Sequence, residues 1–420
     1  MKKNKFIIFL CVFIFIIILF RTNNKEALLY RKANGLYQFS QSKKYKITSL
    51  YDVNYQTNGK NIVLFSDFRN LYFYNTKNKY KKKIIDYPNT FLLLDNNSFL
   101  VLDKNNTLYV IKNNFKSLIE KNVGQVVVLD NHTILYKYKN NNIIYNVSTR
   151  RKSTINRMDS YSFSFNKSNM IIKNNNDYSI YSMKKNKIIR KLTNIDEYLC
   201  INKDCNDLYY VKDKKLYSTL YKNNILDKNI YRILYNNKEQ LLYSKYENNK
   251  YVLYYKDGLK KSVRIDKRDY EYIDVSMNGN KIYYLVGGIF VKRTVLKVRG
   301  EIENVSQLIN HNGTILLLKG DDLYEDDKLL VNNVVSSSIK FYHKKLYYLK
   351  KTKKGNDLYY KIGNREKLIS HNVYNYVIIN NTIYYLSNYD DIISSGELYS
   401  YRLRRKLIDK DVSEILSLDS

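Results

Sequence analysis

The sequence predicts an all-β chain built from one repeated four-stranded unit. Three observations predict it. An apolar-aromatic pair returns about every 36 residues, the stretch between returns holds four short β-rich runs, and no segment after Phe20 sustains a helical period.

The pair occurs as Leu36-Tyr37, Leu71-Tyr72, Leu108-Tyr109, Ile144-Tyr145, Ile180-Tyr181, Leu216-Tyr217, Leu253-Tyr254, Ile289-Phe290, Leu323-Tyr324, Leu358-Tyr359 and Leu398-Tyr399. Tyrosine is abundant, at 45 of 420 residues, but abundance alone does not hold a spacing. One unit shows the content: GQVVVLD from Gly124, HTILYKYK from His132, IIYNV from Ile143 and KSTI from Lys152. Clusters of Asn, Asp, Lys and Gly separate these runs, which reads as four strands joined by tight turns. Asn34-Gly35, Asn58-Gly59, Asn278-Gly279 and Asn312-Gly313 offer the positive φ values that two-residue hairpins require.

Apolar residues stand on both faces of the strands. In Thr382-Ile383-Tyr384-Tyr385-Leu386, Ile383 and Tyr385 point one way and Tyr384 and Leu386 the other. Such a sheet needs a neighbour on each side. Radially packed blades of a β-propeller provide it; a stacked β-solenoid is the second reading, although its coils have shorter periods.

Near the C-terminus the unit reads NNTIYYLSN from Asn380, GELYSY from Gly396 and RKLIDKDV from Arg405. Here it resembles the bacterial envelope propellers related to the TolB-like and YWTD propeller families. The resemblance implies a propeller fold and no particular ligand, because the chain has no tryptophan and departs from true YWTD repeats.

The ends are in register with one another. Ala27 to Lys32, Leu36 to Ser40 and Tyr45 to Leu50 read as second, third and fourth strands, and Glu414 to Asp419 reads as the missing first strand. This shared unit brings the total to about eleven, beyond the usual four to eight blades of one ring. Two propellers, over residues 27–230 and 231–420, are the first reading; one large ring is the alternative.

Residues 1–26 read differently. Lys2, Lys3 and Lys5 precede an apolar run from Phe6 to Phe20, followed by Arg21. As a helix the run rises about 22 Å, short of the roughly 30 Å hydrocarbon core. No Ala-x-Ala pattern follows, and Leu10 before Cys11 is too large for lipoprotein processing. An uncleaved N-terminal membrane helix, spanning once and leaving the body outside the cytoplasm at the cell membrane, is the first reading; a cleaved signal peptide is the alternative.

The net charge is +33, from 72 basic and 39 acidic residues, with lysine far exceeding arginine. Lysine, asparagine, isoleucine and tyrosine share AT-rich codons, so the charge reads first as a solvated surface shaped by codon usage. Affinity for an anionic envelope polymer or lipid headgroups is the second reading. Nucleic acid is not expected as a partner, because the lysines are spread along the chain without a recognisable module. Cys200 and Cys205 flank a predicted turn and read as two free thiols.

No catalytic, cofactor-binding or metal-binding residue emerges. His132, His311, His343 and His371 fall in different units, without a second ligand nearby. Ser182 and Lys185 match Ser-x-x-Lys, but its partner motifs are missing. Asp321, Asp322, Glu325, Asp326 and Asp327 read as solvated charges around a repeat strand. The sequence thus points to a non-enzymatic interaction or scaffold module for a protein, glycan or anionic wall polymer. The alternative is a propeller enzyme, a lyase or hydrolase, with a dispersed active site.

Overall fold

The computed structural model describes residues 28–416 apart from 41, 51–52, 59–60, 68, 96–97, 113–114, 312–313 and 326–327. The expected membrane helix over residues 6–20 lies outside the described residues. Among these, the architecture is all-β: antiparallel strands and a single 3-10 turn at Ser336–Ser338. Nine sheets are four-stranded meanders in sequence order, of the kind that propeller blades consist of, and one sheet has seven strands.

The seven-stranded sheet joins the chain ends as the register predicted. Its long strand Arg405–Leu416 pairs through its first part with Ser395–Tyr401 and through its last residues with Leu28–Lys32, Leu29 opposite Leu416 and Arg31 opposite Glu414. Leu28–Lys32, Gly35–Ser40 and Lys43–Thr48 then follow as second, third and fourth strands. The C-terminal residues thereby complete the N-terminal unit, and the eleven expected repeats are all present as strands.

Two compact units make up the chain. One comprises residues 1–124 with 337–420, the other residues 125–336. Residue 230, near which the sequence reading divides the repeats, lies inside the second unit, in the link between strands Asn224–Lys228 and Arg232–Asn237.

The recurring Leu-Tyr pair has a structural cause. It sits on each third strand, and in nine of the eleven pairs the aliphatic residue is inaccessible: Leu36, Leu71, Leu108, Ile144, Leu216, Leu253, Leu323, Leu358 and Leu398, whereas in Ile289-Phe290 the aromatic residue is the buried one. Burying each such side chain contributes about 1.5–3 kcal/mol. Pairing with the fourth strand shifts register between the two residues of the dipeptide, as at Leu36/Tyr37, Leu71/Tyr72, Leu253/Tyr254 and Leu358/Tyr359. A bulge there increases the local twist of the outer strand.

The tyrosine of the pair faces an aromatic residue on the second strand. Tyr30 and Tyr37, Tyr243 and Tyr254, Tyr348 and Tyr359, and Tyr385 and Tyr399 are cross-strand partners, with stacked rings 5.5 to 6.1 Å apart. A cation covers the outer ring: Lys46 over Tyr37, Lys245 over Tyr254, Lys350 over Tyr359 and Arg405 over Tyr399, the last at 3.8 Å. Each stack and each cation contributes about 0.5–1 kcal/mol. Lysine and tyrosine, whatever their codon origin, form the repeat's packing ladder.

Consecutive sheets of the 125–336 unit pack face to face. Leu135 and Ile144 meet Met170 and Ile172; Ile171 and Ile180 meet Leu208. Tyr209 and Leu216 meet Ile233 and Leu241; Leu242 and Leu253 meet Ile282 and Tyr284; Leu285 and Phe290 meet Ile315 and Leu317.

Two expectations need correction. Cys200 and Cys205 are disulfide-bonded rather than free, with Cα atoms 4.7 Å apart. Cys205 adopts a φ of 56°, which folds the loop back onto the end of strand Glu197–Cys200. Of the Asn-Gly pairs, Gly59 and Asn312-Gly313 lie outside the described residues, and the other two pairs do not supply both turn residues. Asn278 ends a strand opposite Lys281, so Gly279 and Asn280 form that turn, and Gly35 begins a strand opposite Lys32. The paired positive φ values fall mainly on Asn248-Asn249, Asn380-Asn381, Asp213-Lys214 and Gly287-Gly288. Asparagine tolerates that conformation best among residues with a side chain.

Candidate functional site

An antiparallel meander sorts its turns by parity. The first-to-second and third-to-fourth turns leave one end of a sheet; the second-to-third turns and the links between sheets leave the other. In the 125–336 unit like ends coincide: Asn166 N–H donates to Lys203 O across the first-to-second turns of two neighbouring sheets, and the Tyr221 hydroxyl donates to Glu239 across the next boundary.

These two ends carry opposite charge. At the first end Lys167, Lys203 and Lys238 occupy first-to-second turns, and Arg150, Lys184, Lys185, Lys222, Lys260, Lys261 and Lys297 follow in successive third-to-fourth turns. Asp130, Asp204, Asp207 and Glu239 oppose them among the described residues. In the turns and links of the other end Asp159, Asp196, Asp213, Asp269, Glu271, Glu303 and Asp321 outnumber Lys139, Arg157 and Lys214, while the strand-end cations Arg232 and Lys250 pair with Glu271 and Asp269. A charge spread evenly along the sequence is therefore unevenly placed in space.

The acidic end holds a cluster of interacting polar side chains. Glu197 opens strand Glu197–Cys200, Arg232 opens strand Arg232–Asn237, and Glu271 immediately precedes strand Tyr272–Asn278. One repeat apart, these positions lie at the same end of adjacent first strands. Arg232 consequently bridges both carboxylates, at 3.7 Å from Glu197 and 3.9 Å from Glu271. Glu197 also accepts the Ile233 N–H at 2.7 Å. Burial pushes the Glu197 carboxyl above its usual range, outweighing that hydrogen bond and the nearby Arg232.

Tyrosine rings frame the carboxylates. The Tyr231 hydroxyl donates to Glu271, which, with burial, raises the phenol well above its ordinary value. The Tyr231 ring lies 5.2 Å from Tyr251 and 6.4 Å from Tyr246, and those two are 5.0 Å apart. Tyr246 and Tyr231 are about half exposed. Tyr270, which precedes Glu271 in the chain, sets its ring against the Gly287-Gly288 turn, where a Cβ on Gly287 would come within 2.6 Å of it. The arrangement offers ring faces and fixed carboxylates, which suit a cationic group. It holds no histidine, and it pairs no nucleophile with a base.

The four histidines stay apart. His132 lies in the turn before strand Thr133–Tyr138, and His311 ends strand Gln307–His311. His343 lies in a turn against the Tyr342 ring, and His371 contacts Asp357 through Nδ1 at 2.8 Å. Ser182 and Lys185 lie at the basic end, where the Lys185 N–H donates to the Ser182 hydroxyl. Asp322 and Glu325 belong to strand Asp322–Glu325, Asp322 accepting the Asn333 N–H, while Asp326 and Asp327 are outside the described residues. No group of three or more metal-ligating side chains occurs among the described residues, and no helix among them is long and apolar enough to cross a membrane.

The sequence reading missed Glu197, Arg232, Glu271 and the tyrosines around them. Their signal was a run of charged or aromatic residues just before four successive first strands, Asp159, Asp196, Tyr231 and Glu271, visible only once strand boundaries are known.

No family model matches the chain, and no curated protein matches it. Among solved structures, the chain is similar to a eukaryotic initiation factor at 9% identity, covering 94% of this chain and 99% of that one, with a TM-score of 0.42. It is also similar to the extracellular domain of a one-component system from B. thetaiotaomicron, at 8% identity, 93% and 78% coverage and a TM-score of 0.26. A third is the C-terminal WD40 domain of Sif2, at 11% identity, 63% and 91% coverage and a TM-score of 0.29.

Proposed function

We propose that this protein is a non-enzymatic interaction module of the propeller type, held at the outer face of a membrane by residues 6–20. It presents the carboxylate and tyrosine end of its 125–336 unit to a protein partner with a cationic contact surface. The observation that carries the reading is the Glu197-Arg232-Glu271 cluster framed by Tyr231, Tyr246 and Tyr251. Tyrosine and arginine are the residues that anchor protein interfaces, and a rigid scaffold holds them here at low entropic cost. The acidic end repels an anionic polymer and attracts a basic surface.

The Cys200–Cys205 bridge supports a compartment outside the cytoplasm, because such bonds persist in oxidising surroundings. The TolB-like character of the C-terminal repeat agrees with an envelope location.

The test is the native assembly of the full chain extracted from its own membrane. Wild type is expected to migrate in a larger complex that dissociates in Tyr246→Ala and in Glu271→Lys, both retaining the β-rich circular dichroism. A wild-type chain that migrates alone, or a complex that survives both substitutions, contradicts the proposal.

A further inference from the structure

The opposite, basic end of the 125–336 unit carries exposed apolar residues at regular places. Phe165 is 82% exposed, Leu220 41%, Leu259 65% and Leu296 91%. They stand on four consecutive sheets, each in a turn at this same end, and a lysine follows each within two residues: Lys167, Lys222, Lys260 and Lys297. Single exposed apolar residues are ordinary, but one per sheet at one end, each beside a lysine, is a pattern.

Two neighbouring features fit the same partner. The disulfide-closed loop places Lys203 over the Phe165 ring at 5.5 Å, so a cation and an apolar ring are presented together. Beside the Leu296 turn, a cavity of about 440 Å³ is lined, among the described residues, by Lys281, Lys292 and Arg299 with Thr294, Phe290, Gly300 and Ile302. A polyanion alone would use the lysines but gains nothing from bare Leu259 and Leu296. A bilayer uses both, taking the apolar tips into its acyl boundary while the lysines meet phosphate.

We propose that this end docks on an anionic lipid bilayer, with Phe165, Leu259 and Leu296 inserting and the Lys281-Lys292-Arg299 cavity receiving a headgroup phosphate. The inference concerns a different surface from the partner site above and stands without it.

The chain has no tryptophan, so a single introduced one reports its own position. The full chain carrying Leu296→Trp, Leu259→Trp or, at the acidic end, Tyr270→Trp is reconstituted into vesicles with brominated acyl chains at 0.15 M salt. In phosphatidylglycerol vesicles the first two are expected to be quenched at least about threefold more strongly than the third, and in phosphatidylcholine the difference disappears. Adding Lys281→Glu and Arg299→Glu to Leu296→Trp should cut its quenching about fivefold or more. Equal quenching at all three positions, or equal quenching in both lipids, overturns the proposal. So does a Leu296→Trp emission that responds to soluble polyglycerol phosphate while bromolipid leaves it unquenched, which would assign the surface to a polymer.

Discussion

The hydroxyl of Tyr30 donates to Asp409 at 2.9 Å, tying the first described strand to the last across 379 residues. Tyr30 is wholly buried, and Asp409 also meets Lys32 at 3.3 Å and Lys44 at 3.1 Å. The motif recurs, with Tyr243 and Lys245 on Asp227, and Tyr348 and Lys350 on Glu366. A second-strand tyrosine and the lysine two residues on clamp one carboxylate of a fourth strand.

Because hydrogen bonds to charged groups are worth about 1.5–3 kcal/mol, Tyr30→Phe should lower unfolding stability by about 2 kcal/mol. Asp409→Ala, which strands the half-buried Lys32, should cost about 3–4 kcal/mol. Burial raises the Asp409 carboxyl, but Tyr30, Lys44, the Lys410 N–H and Lys32 together hold it below the usual range. Its contribution is therefore present above an ordinary aspartate value near 3.9 and is lost as pH falls through the lower folded value. Urea denaturation from pH 7 down to pH 3 checks both the cost and its disappearance in Asp409→Ala.

Glu197 behaves in the opposite sense. Its folded carboxyl titrates above an unfolded glutamate value near 4.3, so the stability it contributes is greatest below that pH and declines as pH rises through the folded value. Glu197→Gln keeps an acceptor for the Ile233 N–H and should make the protein at pH 7 as stable as wild type or more so. The midpoints of urea denaturation at pH 4 and pH 7 should converge in the variant.

The Cys200–Cys205 bridge closes a short loop, and the chain-entropy model gives it about 2 kcal/mol. Thiol alkylation of unfolded but unreduced protein should label Cys11 alone. Cys200→Ser with Cys205→Ser should lower stability by about that amount; labelling of all three cysteines without reductant would contradict the bridge.

Gly35 has a φ of 136°, and a Cβ there would lie 2.0 Å from the Thr48 carbonyl oxygen. Neither the conformation nor the space admits a side chain. Gly35→Ala should cost more than about 2 kcal/mol, whereas Gly279→Ala, in open space with a φ of 57°, should cost about 1 kcal/mol. Thermal melts of the two variants test the ranking.

The repeat was legible because its determinant is one-dimensional: a buried Leu36 or Leu398 beside a stacked Tyr37 or Tyr399 recurs at fixed spacing. The union of chain ends was legible for the same reason, as Glu414 falls in phase with Arg31. The candidate site was not. Whether Lys260 and Glu271 share an end depends on the parity of the turns that carry them, and eleven residues of sequence place them at opposite ends. Codon bias likewise explains the lysine excess without revealing that Lys245 and Lys350 stand over tyrosine rings. Cys205 read as free because its left-handed backbone, which brings it back to Cys200, has no signature in Asn-Lys-Asp-Cys.

The proposed function requires that a protein partner be held at the carboxylate and tyrosine end of the 125–336 unit. A photocrosslinking phenylalanine at Tyr246, at Tyr270 and, as a control at the basic end, at Leu296, each in the full chain in its own membrane, tests this most directly. A discrete, protease-sensitive adduct is expected from Tyr246 and Tyr270 that vanishes when Glu271→Lys is added, and none of that size from Leu296. The same adduct from all three positions, or none from Tyr246 and Tyr270, would contradict it.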